Sequence, residues 1–449
     1  MHKAELLAEL ENTRMRTREL ITSLGEHQLE VPYHPGVNPP LWEMGHAAFF
    51  YEVFVFKLLD GDASFDPSMD DLWDSFHIDH QDRWRRDIFP GLVKTLNYFD
   101  HVYEKMAHRI KSSQLSDQEL YLFRYAIYHQ NMHIESLVWC RQTVGYGPPP
   151  GTQFERPAPG NRPGDSSGGD ARIPAGDWLI GMPVDSGQYA AEDFAFDAEK
   201  PRHGVTLSEF SMSRYLVSNR EFAEFVDDGG YEKPDLWSFG GQKWLRTEAD
   251  IALAQGRSEP MLQTPKHPVY WRRHEGQWQE RLFDQWQALS LDAPVTHVSY
   301  WEAEAYCRWA GRRLPTEQEW EVAALGNRKN EAFRRYPWGN DLPDAMRADM
   351  NASGMAKNPV ADYPEGASPF GCRQMIGTVW EWTSSQFLPY DGFRTDMYPF
   401  MSTLQFGDHK VSRGGSCATS SCLIRGTYRQ AYLPQRNDVY TGFRTCALT

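Results

Sequence analysis

The sequence predicts a multidomain α+β protein: a four-helix bundle over residues 1–146, a Pro/Gly-rich linker over 147–172, and a domain of short strands and few helices over 173–449. Three observations lead there. The first 146 residues hold four long segments with apolar side chains at helical spacing. Residues 147–172, GPPPGTQFERPAPGNRPGDSSGGDAR, have the composition of a linker. From Ile173 onward, short apolar stretches alternate with Gly, Pro and Asp turns, the texture of strands in an irregular domain.

In chain order, the first helix is amphipathic, with Leu6, Leu7, Leu10, Leu20, Ile21 and Leu24 on its inner face. The second runs from about Leu41 to Leu59 and carries His46. The third follows Pro90 through LVKTLNYFDHVYEKMAHRI, and the fourth, Asp117 to Gln142, carries HQNMHIE. Four helices of this length suggest a bundle, and bundles place metal sites between facing helices. The loop between the second and third, DDLWDSFHIDHQDRWRRD, is long and polar, and long ordered loops are more often functional than short ones. In the C-terminal domain two helical segments stand out, 218–230 and 299–324. The second breaks at Gly311 and restarts at Thr316, where Glu319 completes a capping box. There is no internal repeat.

Composition removes several classes. The 449 residues carry a net charge of −15 with no basic block, which argues against a nucleic-acid partner. No apolar run approaches the roughly 18 residues that span a membrane. The first segment is an amphipathic helix rather than a signal peptide, and six cysteines in so long a chain do not form a disulfide framework. A cytoplasmic protein is expected. Aromatic residues reach 14%, with 16 Trp, a composition suited to loop-rich domains and ligand clefts.

The motif HQNMHIE places His129 and His133 one helical turn apart on one face, able to meet a single atom. Glu135 lies roughly 200° around the helix from His133 and cannot easily join them. The pair reads either as two metal ligands or as ordinary helix surface. His46 is a polar imidazole in an otherwise apolar stretch, NPPLWEMGHAAFFYE. It is either hydrogen-bonded in the core or the third ligand from a facing helix, and three neutral imidazoles suit iron, copper or zinc. Glu43 and Glu52 lie nearby, but spacing forces neither into the set. Cys417 and Cys422 form a CxxxxC pair, readable as a soft-metal or redox site or as two buried thiols. Tyr398 is a possible proton or electron donor in a cleft, or a packing tyrosine. Arg83, Arg85 and Arg86 either clamp a carboxylate or face solvent. Asp341 to Asp349 has no dedicated calcium-loop spacing.

GRRLPTEQEWEVAA, YPWGN, IGTVWEWTSS, RGGS and YTGFRT together resemble the formylglycine-generating-enzyme (sulfatase-modifying factor) domain, a variant of the C-type lectin fold. The N-terminal region resembles a DinB-like four-helix bundle. That domain order is similar to the EgtB family, the non-haem iron sulfoxide synthases of ergothioneine biosynthesis, over nearly the whole chain. The resemblance implies Fe(II) on His46, His129 and His133, with Tyr398 as the catalytic tyrosine. The family's pattern is altered elsewhere. The second tyrosine of the catalytic segment becomes Met401, and the glutamine before the second motif histidine becomes Met132. An Asn-Trp-Asp group becomes Gln430-Ala431-Tyr432, while Arg436 is kept. Gln430, Tyr432 and Arg436 are therefore the implied substrate contacts, with a changed partner, and Arg83 is a further candidate contact.

The loop DDLWDSFHIDHQDRW, PPLWEMGH and PVYWRR are more similar to the variant EgtB group of selenoneine synthases (SenA), which join hercynine to a selenosugar. The expected function is thus Fe(II)- and O2-dependent carbon–selenium bond formation at the imidazole C2 of hercynine. The alternative is an ergothioneine-type sulfoxide synthase that uses γ-glutamylcysteine or cysteine. Trp380 and Trp382 either receive the trimethylammonium by cation–π attraction or belong to the fold core. Two other classes stand beside these: a formylglycine-generating oxidase, although Cys417 does not sit as in that family, and a lectin-like binding module without catalysis.

Overall fold

The computed structural model describes residues 3–154, 168–184, 194–254, 265–398 and 401–448, with the backbone alone for 247–254. Contacts divide the chain into two compact units, Met1–Gly151 with Gly187–Ala195, and Thr152–Ser186 with Phe196–Thr449.

The first unit is built on α1 (Lys3–Thr22), α2 (Pro40–Tyr51), the short α3 (Asp70–Trp73), α4 (Leu92–Ser112) and α5 (Asp117–Val144). α1 packs on α4 and α5, and α2 packs on the same two helices. α2 opens with proline in its first turn, where the missing N–H has no helical partner to lose. Instead of running on as an α-helix to Leu59, it widens into a π-helix over Glu52–Asp60, closed by Gly61 at φ 69°. α5 starts at a capping box, with Ser116 and Glu119 exchanging side chain and backbone bonds, and ends at Gly145, φ 73°. Every residue of α5 from Tyr121 to Asn131 is buried, so it is the central helix of the bundle. Its buried amides are satisfied: Asn131 donates to Thr13 Oγ1 at 2.9 Å, and Gln130 donates to Thr17 Oγ1 at 2.9 Å while accepting from Tyr51 at 2.6 Å. Leu6, Leu10, Leu20, Ile21 and Leu24 of the expected inner face are buried, whereas Leu7 is only half-buried. After the expected linker the chain touches this unit again. Phe194 stacks on Tyr121 at 4.9 Å, and Tyr121 donates to the Ala195 carbonyl.

The second unit holds β1 (Asp170–Ile173), β2 (Gly176–Ile180), β3 (His203–Leu207), β4 (Phe210–Ser213), β5 (Trp271–His274), β6 (Gln277–Leu282), β7 (Gln285–Ala288), β8 (Arg312–Arg313), β9 (Trp380–Gln386), β10 (Lys410–Arg413), β11 (Arg429–Tyr432), β12 (Thr441–Gly442) and β13 (Cys446–Ala447). One sheet has the order β1-β4-β13-β8 and a second β11-β10-β9-β12, with β12 parallel to β9. A hairpin β2-β3 and a meander β5-β6-β7 complete it. β1 starts inside the stretch read as linker, and Thr152 and Gln153 bond to the backbone at Ala352 and Ser353.

Among the described residues four helices accompany these strands: α6 (Asn219–Asp227), α7 (Phe239–Ala254), α8 (Tyr300–Trp309) and α9 (Glu317–Leu325). α7 was not among the two expected helical segments. Its first turn is FGG, a poor helical signal, but a Cβ at Gly240 would come within 2.4 Å of the Trp301 indole. Tertiary packing against α8 therefore explains the glycine.

Candidate metal centre

His46 comes from α2, and His129 and His133 come from α5. One ring nitrogen of each lies within 4.8 Å of the others. His46 and His129 are buried, at 7% and 6% exposure, while His133 is half-buried. The ring of His46 lies 5.3 Å from that of His129 and 4.9 Å from that of His133. His46 stacks on Trp42 at 4.7 Å, and His129 stacks on Phe50 at 3.8 Å.

The other ring nitrogens decide which way these imidazoles present themselves. His46 Nδ1 donates to the Trp73 carbonyl at 2.7 Å. A carbonyl only accepts, so the proton sits on Nδ1 and the Nε2 lone pair is left for a ligand. His133 Nδ1 donates to Glu43, which leaves its Nε2 facing that of His129. The Nε2 atoms of His129 and His133 are 3.3 Å apart, the spacing of two nitrogens each about 2.1 Å from one ion. Nδ1 of His129 is buried and has no hydrogen-bond partner among the described residues. Burial holds His129 well below the ordinary imidazole range and lowers His46 to about 3. Both are therefore neutral at physiological pH, the form that binds a metal. The donor set fits a first-row divalent cation with open positions.

Around the imidazoles runs an outer ring. Glu43 is buried at 1% exposure. It accepts from Ser136 Oγ at 2.7 Å and from Asn38 Nδ2 at 2.8 Å, besides His133. Burial alone would raise this carboxyl, but His133 and these bonds outweigh it and hold it at about 2. Asn38 accepts in turn from Arg83 Nη1 at 2.8 Å. The Arg83 guanidinium lies 4.0 Å over the Trp42 ring, and its Nη2 donates to the Ser75 carbonyl. Hydrogen-bonded partners of this kind fix the orientation and basicity of metal-binding histidines. The long loop thus supplies both the Trp73 carbonyl and Arg83. Trp73 can close on α2 because residue 45 is glycine: a Cβ there would meet the indole at 2.5 Å.

The other residues singled out in the sequence take different places. Arg85 pairs with Asp87 and Arg86 with Glu30, on the surface. His80 bonds the Val37 carbonyl at 2.9 Å and His77 bonds Asp74 at 2.9 Å, so both brace the loop. Glu135 is buried, outside the histidine group. Tyr398, Gln430, Tyr432 and Arg436 belong to the second unit. Tyr398 and Gln430 are half-buried, and Tyr432 is 6% exposed. Arg436 lies 5.7 Å over the Tyr432 ring and is held by Asp438 at 2.6 Å and 2.8 Å. Trp380 and Trp382 are buried at 1% and 0% exposure, and Trp382 donates to the Val298 carbonyl, which makes them fold core. All six cysteines are free thiols. Asp349 spends its oxygens on the backbone N–H groups of Gly354 and Ala356, and Asp341 and Asp344 pair with Arg347.

Sequence reasoning passed over Asn38, Gly45, Trp73 and Ser136. Ser136 lies three residues after His133, so helical spacing could have flagged it. A backbone carbonyl such as that of Trp73 leaves no sequence signal at all.

The profile of the sulfatase-modifying factor enzyme 1-like domain matches residues 157–448, and that of the DinB superfamily matches residues 9–137. The chain is 32% identical over 449 residues to the hercynine oxygenase of Mycolicibacterium smegmatis, covering 98% of this chain and 97% of that protein. It is 31% identical over 445 residues to the hercynine oxygenase of Mycobacterium tuberculosis, covering 98% of each. To the formylglycine-generating enzyme of Thermomonospora curvata it is 32% identical over 324 residues, 66% of this chain and 98% of that one. A DinB-type bundle joined to a sulfatase-modifying-factor domain defines the class, an oxygen-dependent oxidoreductase. Because the full-length relatives match bundle and C-terminal domain alike, the chain belongs to the EgtB-type hercynine oxygenase family. Among the described residues no helix is long and apolar enough to cross a membrane.

Proposed function

We propose that the chain is an Fe(II)-dependent, cytoplasmic enzyme that uses O2 to join a selenosugar to the imidazole C2 of hercynine. The convergence of three imidazoles, two of them turned by Nδ1 partners, carries the metal part of this reading. Bound there, Fe(II) supplies O2 activation and a coordination position for the chalcogen. The balance is that C2–H and Se–H bonds break and a C2–Se bond forms. One oxygen atom ends on selenium and the other leaves as water, so O2 takes up four electrons. With a thiol donor the same balance gives a sulfoxide.

The protein's own groups have separate tasks. The Trp73 carbonyl and Glu43 orient His46 and His133 through their Nδ1 atoms, and Asn38, itself held by Arg83, bonds Glu43. Tyr398 is the proposed donor of a proton to the oxygen-derived group. Gln430, Tyr432 and Arg436 are the proposed substrate contacts. Arg83 belongs to the metal centre's outer ring in this reading, rather than to the substrate.

The loop arginines favour a selenosugar over γ-glutamylcysteine. A dicarboxylate peptide needs cations, yet Arg83 bonds Asn38 and Ser75 and lies over Trp42, Arg85 and Arg86 have acidic partners, and Arg436 is already paired with Asp438. A neutral polyhydroxyl donor makes no such demand. The test is anaerobic reconstitution with Fe(II), addition of hercynine, admission of air and mass spectrometry. Separate reactions receive a 1-selenol sugar, γ-glutamylcysteine and cysteine. A hercynine–selenium adduct with the selenosugar alone supports the proposal. A sulfoxide from a thiol alone replaces it with ergothioneine-type chemistry.

A further inference from the structure

The segment carrying Tyr398 is tied down at both ends by a buried cluster that the reaction outlined above does not use. Asp396, two residues before Tyr398, accepts from Lys200 Nζ with both oxygens at 2.9 Å. Both side chains are 0% exposed. Ser402, four residues after Tyr398, donates to Asp197 Oδ2 at 2.9 Å. Asp197 is 0% and Ser402 2% exposed. Between the anchors the Met401 N–H donates to the Tyr398 carbonyl at 3.2 Å.

Both anchors come from one turn, residues 196–200, which is itself fixed to the second sheet. Arg425 and Thr427 bond the Glu199 carboxylate, Thr427 at 2.7 Å, and Arg429 of β11 donates to the Ala198 carbonyl at 2.7 Å. A rigid path therefore runs from β11 through the turn to either side of Tyr398. The Lys200 ammonium bonds Asp396, and burial followed by the Asp396 charge pushes Asp197 up to about 6. A buried ion pair is a poor way to gain stability, because apolar residues of similar volume often do as well or better. A buried ion pair on one side of the tyrosine and a buried hydroxyl–carboxylate bond on the other are better explained by placement.

We infer that Lys200 and Asp197 are positioning residues, which fix the Tyr398 segment by holding Asp396 and Ser402 from the turn 196–200. The inference rests on the proposed donor role of Tyr398. Proton donation demands placement within a hydrogen-bond length, so a loosened segment costs turnover rather than substrate affinity.

The experiment compares Ser402→Ala, Lys200→Met, Tyr398→Phe and the double variant Ser402→Ala/Tyr398→Phe. All are Fe(II)-loaded, with hercynine and whichever chalcogen donor turns over. Ser402→Ala removes one bond to Asp197, which keeps its bond from the Ala198 N–H, so it remains informative if Lys200→Met fails to fold. In the expected result, Ser402→Ala lowers kcat about tenfold with the hercynine KM within about twofold, and adds nothing in the Tyr398→Phe background. Unchanged kcat in a folded Ser402→Ala protein overturns the inference. So do losses that multiply in the double variant, and these leave the donor role of Tyr398 intact. Full turnover by Tyr398→Phe alone removes the donor role itself, and the positioning role with it.

Discussion

Gly45 stands one residue before the first imidazole, and its missing side chain is what admits the Trp73 indole to the face of α2. The Trp73 carbonyl then meets His46 Nδ1 at 2.7 Å. Replacing Gly45 with alanine puts a Cβ about 2.5 Å from the ring, well inside contact distance, so the indole and its carbonyl must withdraw. His46 loses its orienting bond while all three imidazoles remain. Gly45→Ala is therefore expected to weaken Fe(II) binding about 10- to 100-fold, the usual cost of losing an outer partner. Anaerobic titration with Fe(II), or with Co(II) read by its absorption bands, checks this, and unchanged affinity would show that the carbonyl does not orient His46. At this scale the three converging imidazoles were legible and the groups that orient them were not. His129 and His133 declare themselves by spacing and His46 by its apolar surroundings, whereas a glycine and a backbone carbonyl resemble hundreds of others. Arg83 stands out in the sequence as a candidate substrate contact, but its bond to Asn38 depends on a contact 45 residues away.

At the scale of elements, the motifs that reveal the C-terminal family are largely its internal ion pairs. Glu381 of β9 pairs with Arg444, Glu321 of α9 with Arg413 of β10, and Glu317 of α9 with Arg429 of β11. WEW, RGGS, GFRT and EQEWE were readable because charges kept in the interior demand exact partners, while apolar core positions tolerate exchange. Removing one partner leaves the other buried and uncompensated, at a cost of about 3–5 kcal/mol. Arg444→Met strands Glu381, which is 0% exposed, and also vacates the Arg373 carbonyl to which Arg444 donates. For a unit of this size the thermal midpoint should fall by about 10 °C, followed by calorimetry or circular dichroism. A shift under about 2 °C would mean that the pair is replaceable. The same physics explains what the sequence hid. α7 begins with two glycines, and its helicity comes from packing Gly240 against Trp301, a cause that lies outside the segment. The π-winding after α2 likewise has no signature in EVFVFKLLD.

Over the whole molecule, the change in texture near residue 173 was enough to separate a helical region from a strand-and-turn region. The return of Phe194 and Ala195 to the bundle was not legible, since it depends on aromatic packing from a distant stretch. The division of labour has a measurable consequence for metal removal. All three imidazoles sit on α2 and α5, and their orienting groups sit on α2, α5 and α3, which ends in Trp73. A ligand stabilises the native state by about 2.7 kcal/mol at a hundred times its dissociation constant. That free energy enters where the ligand is held, and amide exchange in a segment slows according to the free energy of the opening that exposes it. Chelation should therefore speed exchange first in residues 40–51, 70–75 and 125–136, and leave β9, β10 and β11 near their loaded rates. Hydrogen exchange read by mass spectrometry, with and without a chelator, makes the comparison peptide by peptide. Equal acceleration throughout the chain would mean that the metal is not held by these elements alone. No acceleration in α2 or α5 would remove His46, His129 and His133 as its ligands.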